Sequence, residues 1–101
     1  MSGGRFNYLQ YRLFDIEEEI QKIIKNNNVT DEWGYSHSYS EETLEKFREA
    51  IHTLDRARNM AQRIDYLVSG DDSQESFHKR WKEDVKKPYL KNHLTIKENA
   101  L

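Results

Sequence analysis

The sequence predicts an all-α domain, a helical hairpin followed by a third, shorter helix and completed by oligomerisation. Two observations carry this: long stretches in which apolar residues recur every three or four positions, and asparagine and glycine at the ends of those stretches. The apolar fraction of 36% against 34% charged is low for a compact 101-residue monomer, so a partner subunit is expected to complete the core, as in a homo-oligomer.

The first helix is expected over 5–25. Phe6, Leu9, Leu13, Ile16, Ile20 and Ile23 follow a 3-4-3-4-3 spacing that lays them on one stripe. Asn26-Asn27-Asn28 ends the pattern, because asparagine favours caps and turns. The second helix is expected over 41–68, opened by Ser40 as N-cap with Glu41 and Glu42 at the positive end of the dipole. Its core stripe reads Leu44, Phe47, Ile51, Leu54, Ala57, Ala61, Ile64 and Val68, with Leu54 and Ile64 at the centre, and Gly70 stops it. At ~1.5 Å per residue it is roughly 40 Å long, so the shorter first helix leaves apolar surface uncovered. Asp71-Asp72-Ser73 caps a third helix carrying Phe77, Trp81 and Val85, which Pro88 ends or kinks.

One domain spans 1–101. Residues 1–4 read as disordered, 26–39 as a loop containing Trp33, Tyr35, His37 and Tyr39, and 89–101 as a loosely ordered tail in which Leu90, Leu94 and Ile96 are available to dock. A connection as long as 26–39 is unusual in a helical domain. The plain expectation is that its rings plug an open end of the bundle; the alternative is a ligand-binding lid.

The cysteine-free composition excludes disulfide and thiolate chemistry and fits the cytoplasm. No apolar run approaches the ~18 residues of a membrane span, and the N-terminus lacks the basic-then-apolar pattern of a signal peptide. A net charge of −2 argues for neither a nucleic-acid polymer nor an anionic membrane as partner. Phosphate-binding loops, nucleophile elbows and triad contexts are missing, so the chain reads as a non-enzyme without cofactor. Glu49-x-x-His52 and Glu75-x-x-His78 imitate the ligand pairs of di-iron bundles. His52 nevertheless projects opposite Leu54 and Ala57, whereas such ligands must project inward, so no metal is expected.

Binding candidates lie on the polar faces. His52, Arg56, Asn59, Arg63 and Tyr66 form a stripe opposite the core of the second helix, either a solvated face or a cradle for phosphates. Arg58 and Asp65 fall within the apolar stripe, where charges need partners; an ion pair with the first helix is the simplest solution, a subunit interface or polar cavity the others. Tyr8 and Tyr11, with Lys22 and Asp15 on the same side, stand off the stripe of the first helix and suit either packing against the third helix or the aromatic loop, or an interface or stacking on a ligand.

Residues 51–63, Ile-His-Thr-Leu-Asp-Arg-Ala-Arg-Asn-Met-Ala-Gln-Arg, resemble the helical hairpin of phage anti-CBASS and anti-Thoeris sponge proteins. Leu54, Asp55, Ala57, Ala61 and Arg63 fit that pattern, while His52-Thr53 reverses its two polar residues and Met60 stands where tryptophan is usual. With the run from Gly70 to His78, the chain also resembles small phage proteins of Gram-positive hosts. The resemblance implies a helical oligomer that sequesters a nucleotide second messenger: a cyclic dinucleotide, a cyclic trinucleotide or an ADP-ribose derivative. Tyr8, Tyr11, Trp33 and Tyr35 would then stack on bases, and Lys22, His52, Arg56, Arg58 and Arg63 would hold phosphates. The rival reading is an inhibitor or adaptor that uses the same aromatics as anchors on a host defence protein.

Overall fold

The computed structural model describes residues 4–90 and contains three α-helices, α1 (Tyr11–Lys25), α2 (Glu41–Val68) and α3 (Gln74–Asp84). The ends of α2 fall where the caps require. Ser40 Oγ accepts from the Thr43 N–H, and Gly70 turns the chain at φ +86° just past the last helical residues. α3 is opened by Ser73, whose hydroxyl accepts from the Ser76 N–H, and it ends at Asp84 because Val85 is already extended, three residues ahead of Pro88.

The first helix is shorter than its apolar spacing predicts. Asn7 and Tyr8 take left-handed backbone conformations, which no α-helix accommodates, so the 5–10 segment is a series of turns. Those turns aim the chain at α2. The Arg5 N–H donates to Asp65 Oδ1 at 2.6 Å, and Gln10 Nε2 donates to Gln62 Oε1 at 2.7 Å. A Cβ on Gly4 would stand 2.6 Å from the Asp65 carboxylate, so only glycine fits there. Gly4 is therefore positioned against α2 and not loose, while 1–3 and 91–101, with the expected docking residues Leu94 and Ile96, lie outside the described residues.

α1 and α2 form the expected antiparallel hairpin, and α3 packs on α2 alone. The described chain measures 52 × 46 × 12 Å, little thicker than one helix. A single layer has no interior. Leu44 is the one buried hydrophobic side chain among the described residues, and the other buried residues are Gln10, Glu17, Arg63 and Asp65. The predicted core is corrected accordingly: Leu54 is half-buried, and Ile64, Val68, Leu9, Ile16 and Ile23 are exposed. The helices instead meet through Gln10 and Glu17 on one side and Arg58, Gln62 and Asp65 on the other, with Ile24 and Ile51 lining an open cleft between them. No helix among the described residues is long and apolar enough to cross a membrane.

Candidate functional site

The connection between α1 and α2 is a braced hairpin-like loop. Asn27 imitates a strand neighbour: its side-chain oxygen accepts from the Tyr39 N–H at 2.9 Å, and its amide donates to the Tyr39 carbonyl. The Asn28 N–H donates to the His37 carbonyl, with Asn28 in the left-handed conformation that asparagine tolerates. Nearer the tip, Asp31 Oδ1 accepts from the N–H groups of Trp33 and Tyr35 at 2.9 Å each. The Gly34 N–H closes a turn onto the Asp31 carbonyl, with Gly34 at φ +86°. At the base His37 stacks on Tyr39, and Tyr39 meets Phe47 of α2 edge to face at 5.3 Å.

The rings at the tip plug nothing. Trp33 is 76% exposed and Tyr35 73%, so the expectation of a structural plug is corrected; only Tyr39 packs back onto α2. An indole held out on a braced turn has already lost most of the backbone entropy that binding would otherwise cost. Asn27 reads from the sequence only as part of a helix stop, and Asp31 was not singled out, although aspartate three residues before glycine is a readable turn signature.

The basic candidates are engaged within the chain. Arg56 Nε donates to the Lys86 carbonyl at 2.9 Å, and His52 Nε2 is 2.7 Å from the Lys87 carbonyl, its ring against Tyr89. Arg63 is buried between Asp72 at 3.8 Å and Asp84 at 3.5 Å, its guanidinium over the Tyr66 ring at 4.5 Å. The stripe expected to face away from the core is thus the seat of α3 and the segment after it. Arg58 pairs with Asp55 and, at 3.5 Å, with Glu17 of α1, and lies over the Phe14 ring, so the ion-pair alternative holds for it. Asp65 likewise spends its oxygens on Arg5, Gln10 and Ser69. Lys22 pairs with Glu19 on the surface at 3.1 Å.

Tyr8 and Tyr11 are exposed, with centroids 6.1 Å apart, and do not reach α3. They stand at the start of α1 and the loop tip beyond its end, about 22 Å of helix apart, so the two aromatic groups do not converge on one ligand. Among the described residues no group of three or more histidines and carboxylates is placed to hold a metal ion.

Comparison of the chain with protein-family models, with curated proteins and with solved structures returned no match.

Proposed function

We propose that this chain is a protein-binding module, non-enzymatic, that reads its partner with the aromatic tip of the α1–α2 loop. One contrast supports it. A nucleotide needs cationic donors for its phosphates as well as a flat apolar surface, whereas a protein partner needs chiefly the rings. Here Arg56, Arg58 and Arg63 are spent on carbonyls and carboxylates of the chain itself, while Trp33 and Tyr35 are presented to solvent. Tryptophan and tyrosine on a rigid turn are the side chains that anchor interfaces, because they cover much area with few rotatable bonds.

The test compares wild type with Trp33→Ala/Tyr35→Ala. A Gram-positive lysate, the host class implied by the resemblance, supplies the captured protein, and titration calorimetry follows with that protein purified. The double variant is expected to bind at least about 30-fold more weakly, the cost of losing a ~2 kcal/mol hot spot, with an unchanged melting temperature. A thermal-shift series with cyclic dinucleotides, cyclic trinucleotides and ADP-ribose derivatives runs in parallel. Stabilisation by one of these, lost in Arg56→Ala/Arg63→Ala variants that remain folded, would overturn the proposal in favour of a nucleotide sponge.

A further inference from the structure

The layer has two broad faces, and they differ. On α1 the residues that meet α2 are Gln10 and Glu17, with Ile24 lining the cleft between the helices, and Leu9, Ile16 and Ile23 each precede one of these three. On α2 the residues that meet α1 are Arg58, Gln62 and Asp65, and Ala57, Ala61 and Ile64 each precede one of them. A step of one residue turns about 100° round a helix, from the neighbour toward the normal of the layer. Because the two helices run antiparallel, the step backward leads to the same side on both. Ile16, Ile23, Ala57, Ala61 and Ile64 therefore share one broad face, with the exposed Leu9 in the turn just ahead of α1. The edge of α2 away from α1 is occupied instead: the Lys86 and Lys87 carbonyls meet Arg56 and His52, and Lys86 Nζ lies 2.7 Å from Asp55.

We infer that the bare apolar face is covered by the same face of a second copy of this chain, giving a two-layer dimer with its core between the layers. A domain normally needs two packed layers to enclose a core, and this chain alone supplies one, with a single buried hydrophobic residue among those described. Whatever completes such a fold must be present whenever the chain is folded, which a second copy always is. The projected face, α1 and α2 side by side, covers about 640 Å², near the ~800 Å² per partner of stable interfaces.

Charge fixes the orientation. The spacing from Leu9 to Ile20, 4-3-4, reads the same in either direction, so an antiparallel α1 of the second copy sets Leu13 against the partner's Ile16 and Leu9 against the partner's Ile20. That register places the exposed Arg12 beside the partner's Glu19, twice by symmetry. The twofold axis then passes level with Phe14 and Asp15.

The test uses the protein alone and is independent of the aromatic tip and its partner. Sedimentation of the wild type from about 1 to 100 µM is expected to give twice the 12.2 kDa chain mass. The chain has no cysteine, so single cysteines report the geometry. Under mild oxidation Ile16→Cys, beside the axis, is expected to cross-link into a covalent dimer. Ile23→Cys is expected to remain uncross-linked, because the two sulfurs lie about 25 Å apart along the helices. A wild-type monomer throughout the range overturns the inference, including the case in which the chain after Leu90 covers the face. A dimer in which Ile16→Cys fails to cross-link, or Ile23→Cys cross-links equally well, overturns the face or its antiparallel register.

Discussion

Asp65 shows how a charge is tolerated on an apolar seam. Burial pushes its carboxyl up, but the Arg5 N–H, the Gln10 amide, the Ser69 hydroxyl and the Phe6 N–H together hold it below the ordinary aspartate value of 3.8. The unfolded chain then binds the proton more readily than the folded one. The stability from Asp65 is fully present above pH 3.8 and is lost as pH falls through the lower folded value. Asp65→Asn is accordingly expected to lower the melting temperature at pH 7 and to flatten its decline below about pH 4, read by circular dichroism across pH. Glu17 behaves oppositely. Burial and the nearby Asp55 raise its carboxyl despite Arg58, so its contribution falls as pH rises past 4.5. Arg63 is costly to remove, because its loss takes the cation from between Asp72 and Asp84 and leaves the nearly buried Asp72 with Arg80 at 3.9 Å. Arg63→Ala is expected to cost about 3 kcal/mol by urea denaturation, whereas Lys22→Ala, at an exposed pair, should cost less than about 0.5 kcal/mol.

Among the elements, the aromatic loop depends on one side chain for its closure. Asn27 makes both bonds to Tyr39, and Asn27→Ala frees them together. Amide exchange at Tyr39 is expected to accelerate at least about tenfold, matching the loss of about 1–2 kcal/mol of local stability, while exchange within α2 stays unchanged. The three helices were legible in the sequence because local chemistry sets their ends: Ser40, Ser73, Asn26 and Gly70 act where they stand, whatever packs nearby. The start of α1 was not legible, because the left-handed turn at Asn7 and Tyr8 is held by contacts with Asp65 and Gln62, some 50 residues away in the chain. The role of the His52–Arg56–Arg63 stripe was hidden for the same reason. A polar stripe reads as solvated until the segment that occupies it, here Asp84 to Tyr89, is seen to return. Trp33 and Tyr35 were legible as candidates, whereas their exposure follows from Asn27 and Asp31, residues common in any loop.

For the whole molecule, periodicity told which residues are apolar on each helix but not what covers them. The apolar spacing of α1 and α2 was read as the seam of a hairpin, yet the hairpin closes mainly through Gln10, Glu17, Arg58, Gln62 and Asp65 and turns much of the stripe outward. The proposed second copy would restore the sense of the pattern, and it would separate two kinds of apolar position. Leu44 is buried within one chain, so Leu44→Ala should cost about 2–3 kcal/mol at every protein concentration. Ile64 is 37% exposed in the single chain and would be enclosed in the proposed dimer. Ile64→Ala should therefore lower stability little where the chains are dissociated and considerably where they are paired. The wild-type melting temperature should itself rise with concentration, since association favours the folded state by mass action. Scanning calorimetry of wild type, Leu44→Ala and Ile64→Ala over about a hundredfold range of concentration distinguishes the cases. In a dimer the wild-type and Leu44→Ala curves rise in parallel, and the Ile64→Ala curve is flatter. Three concentration-independent melting temperatures would mean that the single layer is stable alone, and that its apolar face serves another purpose.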